Sequence, residues 1–403
     1  MKFVVLQGDG MADEPIAELG NKTPLEVANT PNLDRMARAG ILGLTRTIPP
    51  GLPPGSDVGT MSVLGYDPSR YHTGRSPIEA ASMGVELGPE DVAFRCNLVT
   101  LETPEGGVEI MRDFAAGHIS TPEAREIVED LQRTLGGDGL EFHAGVSYRH
   151  LLVWRGGEHR MRTTPPHDLS DKPVGGSFPE GQGASVLTGL MDRSRGLLAE
   201  HPVCRARLAR GERAPNSIWL WGQGKRPTIP PLRERFGIDG SVIAAVDLVN
   251  GLGVLAGLER ISVPGATGFL DTNFRGKAEY GLRALEARDF LFLHVEAPDE
   301  GGHMGDPHKK VEAIENFDEK VVGTILEGLR AMGGEWRVLV MPDHPTPCAL
   351  KTHTSDPVPF VVYVSADEQK TRGISRGYNE RDAREQGIFI PDAHTLMDRL
   401  LRR

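Results

Sequence analysis

Cysteine is scarce in this chain: Cys96, Cys204 and Cys348 lie far apart among 403 residues. An odd number at that spacing builds neither a disulfide framework nor a zinc ribbon, and it fits a reducing cytosol. Long apolar runs are also missing. No stretch approaches the roughly 18 residues of a membrane span. The opening Met1-Lys-Phe-Val-Val-Leu reaches polar Gln7-Gly-Asp too soon for a signal peptide. Basic charge is the minority, with 45 Lys and Arg against 56 Asp and Glu and a formal net charge of −11. That balance argues against nucleic acid or an anionic membrane as the main partner. Internal repeats and low-complexity segments are absent. What is left is a globular protein expected in the cytoplasm, long enough for two domains or for one large domain with an insertion. Its oligomeric state stays open.

What is present is a set of apolar, β-branched runs that end in Asp and His. Arg337 to Met341 stops at Asp343-His344, and Phe290 to Glu296 runs into Asp299 and His303. His353 precedes a further run, Val358 to Val364, and Asp9 follows the first one, Lys2 to Leu6. Ligands of open α/β sheets bind outside the carboxyl ends of the strands. Carboxylates mixed with imidazoles are the ligand set of divalent Mn, Zn or Mg. Each cluster taken singly reads equally well as a cap or a turn. Together they point to a two-metal site that needs a nucleophile.

A candidate nucleophile stands in Pro49-Pro-Gly-Leu-Pro-Pro-Gly-Ser56, a stiff loop opening a helix expected over Val58 to Leu64. Ser56 is either the N-cap of that helix or a hydroxyl placed where helix N–H groups and dipole welcome a phosphoryl group. Other elements follow from punctuation. Thr30 to Gly40 predicts a helix capped by Thr30, with Pro31 in its first turn. Pro307 to Met332 has apolar residues at helical spacing and predicts a core-packing helix. The segments around 90–100 and 145–154 predict strands, and Thr121 to Leu135 a capped helix. Asn216 to Trp221 predicts a strand leading into a Gly-rich turn, Gly222 to Arg226. Alternating strands and helices argue a mainly parallel sheet with helices on both faces.

Asp9 in Gly-Asp-Gly-Met, Thr30-Pro-Asn-Leu-Asp, Ser56 in Pro-Gly-Ser-Asp-Val, Asp299-x-x-x-His303, Asp343-His344 and His353-Thr resemble the alkaline phosphatase superfamily. Ser62-Val-Leu-Gly-Tyr-Asp-Pro68, Ala115-Ala-Gly-His-Ile-Ser120, Pro165-Pro-His-Asp168, Asn216-Ser-Ile-Trp-Leu-Trp-Gly222 and His294-Val-Glu-Ala-Pro-Asp-Glu300 narrow the likeness. The set resembles the archaeal-type branch of cofactor-independent phosphoglycerate mutases over nearly the whole chain. The resemblance implies an alkaline-phosphatase-like metal-binding core over 1–75 and 215–403, with a smaller α/β substrate-binding domain inserted at 76–214. It implies two divalent ions, Mn before Zn, Co or Mg, and no bisphosphoglycerate. Asp9, Ser56, Asp343 and His344 would hold one ion, and Asp299, His303 and His353 the other. Ser56 would carry the phosphoryl group as 3-phosphoglycerate and 2-phosphoglycerate interconvert, with Asp113 or His118 moving protons.

Residues for a small phosphorylated substrate are sought among Arg95, Arg149 and His167, with Lys225, Arg226, Arg275 and Lys277 as further cations. A surface charge in water is the plain alternative for each. Rival functions are a phosphatase or phosphodiesterase of the same superfamily, a homoserine-kinase-like phosphotransferase, and an inactive binding protein on the same scaffold. The inserted segment speaks against the first, and the intact ligand positions speak against the last.

Overall fold

A computed structural model of the chain describes residues 1–368 and 377–401. It forms two compact units, Met1–His72 with Thr228–Arg403, and Thr73–Pro227. Unit one begins with β1 (Lys2–Gly8) and β2 (Ile41–Thr45). Unit two holds β3 (Val92–Glu102), β4 (Ile110–Asp113), β5 (Leu140–Val146) and β6 (Arg149–Trp154). Its chain continues through the short pair β7 (Met161–Arg162) and β8 (Glu180–Gly181) to β9 (Ser217–Lys225). Unit one resumes with β10 (Gly240–Ile243), β11 (Glu259–Arg260) and β12 (Phe290–Val295). It ends with β13 (Trp336–Met341), β14 (Val358–Val364) and β15 (Phe389–Ile390).

The sheet of unit one runs β11-β10-β12-β1-β13-β14-β2-β15, and every pairing is parallel except the two made by β14. Gln7 of β1 lies opposite both His294 of β12 and Met341 of β13. Three strands therefore end level, and Asp9, Glu296 and Asp343 leave the sheet along one edge. Because β14 runs the other way, its start lies at that same edge. The loop before it brings His353 back to where His344 left. Alternate residues of β1 point to opposite faces. Val4 and Leu6 join one core with Leu293, Val338 and Ile325, while Phe3 and Val5 are just as buried. Both faces are covered, as the continuous apolar strands require.

Three local expectations change. The helix Pro31–Ala39 forms, but Thr30 makes no side-chain cap bond. Asp318, from the segment Asp318–Gly323, accepts Leu33 N–H at 2.7 Å and Asn32 N–H at 3.2 Å in its place. That segment is a π-helical turn between the helices Pro307–Phe317 and Thr324–Met332, so the expected single helix contains a bulge. The strand expected over 145–154 is a hairpin, with Val146 opposite Arg149 and Ser147 at a positive φ of 55°.

Unit two has its own sheet, β4-β3-β6-β5, with β9 on the other side of β3. Its core joins Phe94, Leu98, Leu152, Trp219 and the helix Thr121–Leu135, which carries the Ser120/Glu123 capping box. The expected return to the core domain at residue 215 is corrected, because β9 pairs along β3 from Ser217–Val99 to Lys225–Val92 and belongs to unit two. Gly222 to Lys225 continue that strand, with a register shift between Ala93 and Arg95, and form no separate turn.

Candidate active site

The carboxyl edge of the unit-one sheet collects buried carboxylates and imidazoles. Asp9 follows β1, and the next residue, Gly10, has φ 58°. A Cβ there would lie 2.5 Å from Asp299 Oδ1 and from Thr346 Oγ1, so only glycine lets the chain pass so close to Asp299. Ser56 is the first residue of the helix Ser56–Val63; Gly55 is its N-cap, and no side-chain cap bond forms. The cap reading of Ser56 is thereby set aside. Its Oγ lies 3.2 Å from His344 Nε2. Gly59, one turn on, packs against Asp343, where a Cβ would meet the carbonyl oxygen at 2.5 Å. Gln7 ties β1 to this helix by donating to Thr60 Oγ1 at 2.9 Å.

His344 Nε2 is 3.5 Å from Asp9 Oδ1 and 3.3 Å from Asp343 Oδ2. His303 Nε2 is 3.0 Å from Asp299 Oδ2 and 3.0 Å from His353 Nε2, and His353 Nε2 is 3.5 Å from Asp299 Oδ1. The His344 and His353 rings overlap with centroids 4.0 Å apart. All seven expected positions therefore come together. Three sets of ligand atoms converge among the described residues: Asp9 with Asp343 and His344, Asp299 with His344 and His353, and Asp9 with His294 and Glu296.

Charge makes this edge costly without counter-charge. Burial, then the Asp343, Glu296 and Asp299 carboxylates, hold the Asp9 carboxyl well above its usual range. Glu296 is pushed up to about 8 by burial and by Asp299 and Asp343. Burial works against Asp299 too, but hydrogen bonds from His303 and His353 bring it well below the usual value, and the same bond raises His303 to about 9. Asp9 Oδ1, Asp343 Oδ2 and Glu296 Oε2 are buried without a hydrogen-bond partner. Clustered carboxylate oxygens with unspent lone pairs, flanked by imidazoles, fit hard or borderline divalent cations.

Sequence reasoning passed over several participants. His294, fully buried, places Nε2 2.7 Å from Asp9 Oδ2, and Glu296 joins it from the end of β12. A period-two reading of the end of β12 puts His294 and Glu296 on one face, which was the available signal. Thr346 donates its hydroxyl to Asp299 Oδ1. Lys310, with no exposed surface, donates to Ala12 O at 3.0 Å, Thr346 O at 2.8 Å and Asp13 Oδ2 at 2.8 Å. That ammonium ties the loop after β1 to the loop after β13. Its long-range partners left no trace in local pattern. Lys277, expected to face substrate or water, is corrected: it is fully buried and donates to His294 O at 3.0 Å, and burial lowers it to about 8. Arg275 is exposed on the helix Phe274–Ala287.

In unit two an aromatic chain joins most of the other candidates. His167 packs edge-on against Trp221 at 5.3 Å and Phe114 at 6.2 Å; Tyr148 contacts Phe114 at 5.9 Å and His118 at 6.1 Å. Arg149 lies 5.6 Å from the Tyr148 ring, and Arg95 5.5 Å from Trp221. Arg149, His118 and His167 are exposed, whereas Arg95 is buried in an ion pair with Glu79. Asp113 uses both carboxylate oxygens, accepting Ala115 N–H at 2.8 Å, Gly117 N–H at 2.9 Å and Arg213 Nη1 at 3.3 Å. Burial opposes ionisation of Asp113, but these donors outweigh it and lower its pKa. Lys225 pairs with Glu90 at 2.7 Å, and Arg226 is exposed.

Unit one is thus an α/β protein of the class that gathers carboxylates and imidazoles at the carboxyl edge of a parallel sheet. Comparison with known proteins narrows the class. The 2,3-bisphosphoglycerate-independent phosphoglycerate mutase family profile matches residues 37–204. A probable 2,3-bisphosphoglycerate-independent phosphoglycerate mutase of Geobacter sulfurreducens is 53% identical over 100% of both chains. One from Methanosarcina barkeri is 46% identical over 100% of both. Among solved structures, the PH0037 protein of Pyrococcus horikoshii aligns with TM-score 0.81 and 29% identity, covering 99% of this chain and 96% of that one. A cofactor-independent phosphoglycerate mutase of Thermoplasma acidophilum gives TM-score 0.66 and 26% identity, covering 99% of each chain. The chain belongs to the 2,3-bisphosphoglycerate-independent phosphoglycerate mutases.

Proposed function

We propose that this enzyme interconverts 3-phosphoglycerate and 2-phosphoglycerate through a phosphoserine at Ser56. The observation that carries the reading is the Ser56 hydroxyl, free of capping duty at a helix N-terminus and 3.2 Å from His344 Nε2. Asp9, Ser56, Asp343 and His344 would hold one divalent ion, and Asp299, His303 and His353 a second, Mn²⁺ being the first choice. Such ions, when bound, lower the pKa of a hydroxyl and neutralise charge on a transferring phosphoryl group. The start of the helix Ser56–Val63 favours an anion through its N–H groups and dipole. His294 orients Asp9, and Thr346 orients Asp299, by the bonds described above. Retention of glycerate while Ser56 carries the phosphoryl group makes the reaction a mutase rather than a phosphatase. Unit two offers Arg149, His167 and His118 on an aromatic surface suited to the carboxylate and hydroxyls of glycerate. Asp113 has its oxygens engaged, so proton exchange between the two hydroxyls falls to His118.

Purified enzyme assayed on 3-phosphoglycerate without bisphosphoglycerate should turn over, and Ser56→Ala should not. Since Ser56 makes no cap bond, the variant should melt within about 0.5 kcal/mol of wild type, as for an ordinary surface change. Near-normal turnover by Ser56→Ala would remove this serine from the mechanism.

A further inference from the structure

Three consecutive residues of unit two have positive φ: Ala116 at 48°, Gly117 at 68° and His118 at 49°. Only glycine adopts that region without steric penalty, and such strain persists where surrounding bonds over-determine it. Here the bonds come from two sides. Asp113 accepts the N–H groups of Ala115 and Gly117. Arg207, on the helix Pro202–Ala209, donates Nη2 to Ala116 O at 3.4 Å and Gly117 O at 3.3 Å. The guanidinium is itself fixed, with Nε donating to Arg213 O at 2.9 Å and Nη1 to Glu123 Oε2 at 2.8 Å. It is only 5% exposed, so it is no solvated surface charge. Glu123 caps the next helix through Ser120, and Ser147 donates to Ile119 O at 2.7 Å, closing the far side of the turn. The outcome is a stiff left-handed turn with an exposed histidine at its tip.

We propose that Arg207 is a positioning residue for His118, holding the turn 113–118 in the one shape that presents the imidazole to substrate. Lysine cannot replace it, because one ammonium lacks the planar fork that reaches two carbonyls, Glu123 and Arg213 O together. This rests on the assignment of His118 made above, and it concerns how a proton-carrying group is aimed.

The test is a double-mutant cycle on the full-length enzyme, comparing Arg207→Gln, His118→Ala and the double variant. Arg207→Gln should lower kcat by roughly ten- to a hundredfold, the loss of a charge-assisted contact. His118→Ala should do at least as much, and the double variant should be no slower than His118→Ala alone. Ala116→Gly in the Arg207→Gln background should recover part of the rate, since glycine takes a positive φ freely. Hydrogen exchange at the amides of 115–120 supplies a readout independent of turnover and should quicken in Arg207→Gln. Should Arg207→Gln fail to fold, Arg207→Lys serves in its place. Multiplying effects in the double variant, or unchanged exchange at 115–120, would overturn the proposal. If the wild type is an active mutase but His118→Ala is as fast, the aiming of His118 is refuted while the Ser56 reading stands.

Discussion

At the scale of single residues, the candidate site is held by groups buried beneath it. Lys310 illustrates the physics. A buried ammonium survives because three acceptors surround it, one of them the carboxylate of Asp13, itself almost wholly buried. Lys310→Met keeps the length and apolar stem but leaves Asp13 charged and buried. Breaking one partner of a buried pair costs about 3–5 kcal/mol, so the melting temperature should fall by many degrees. Adding Asp13→Asn should return part of that loss, because the stranded charge is gone. Thermal melting of the three proteins checks this, and a double variant no more stable than Lys310→Met would show that packing outweighs charge here.

At the scale of elements, the helix Pro31–Ala39 shows how a tertiary contact takes over a local role. Thr30 sits at the cap position, yet Asp318 supplies the acceptor, with Asn32 Nδ2 also donating to it at 3.0 Å. Burial raises the Asp318 carboxyl even though Leu33 and Asn32 N–H groups favour its ionised form. Asp318→Ala should therefore destabilise by about 1–2 kcal/mol, the upper range for a lost cap. Thr30→Ala should cost clearly less, since its hydroxyl makes only a 3.4 Å bond to Asp34. Denaturant unfolding of both variants decides which residue caps the helix. The same lesson applies to β14: its apolar run predicts a strand, but only pairing with β13 and β2 sets the reversed direction that returns His353 to the site.

At the scale of the whole molecule, each buried titrating group adds a contribution of definite sign to acid stability. His150 is buried, with Nδ1 accepting Gly145 N–H at 3.0 Å, and burial with the Arg95 charge lowers it to about 3. The unfolded chain protonates histidine near 6.5, so between about 6.5 and 3 the unfolded state binds the extra proton. The stability that His150 contributes is complete well above pH 6.5 and falls as pH drops toward 3. From pH 6.5 to 5 the loss from this residue is about 2 kcal/mol. Glu79, lowered by Arg95 and Arg75 against the opposing effect of burial, adds a loss of the same sign below its usual value. His150→Gln should flatten the fall between pH 7 and 5, measured by hydrogen exchange across the β5–β6 hairpin. An equally steep fall in the variant would assign the acid sensitivity elsewhere.

The sequence by itself determined the α/β alternation and the strands that end in Asp and His, and its family resemblance implied the seven residues that meet at the sheet edge. The alternation and the strand ends are properties of local pattern: apolar runs must be buried, and the polar residues that end them mark where each strand leaves the sheet. Only the tertiary structure decided that β9 belongs to the second unit, that Lys277 is buried, and that Asp318 rather than Thr30 caps a helix. It also drew His294, Glu296, Thr346 and Lys310 around the cluster of carboxylates and imidazoles, and turned Asp113 inward to hold a turn. Each of those outcomes depends on a partner far away in sequence. Pairing, burial and charge neutralisation between distant segments are settled by packing and are not encoded in any short window.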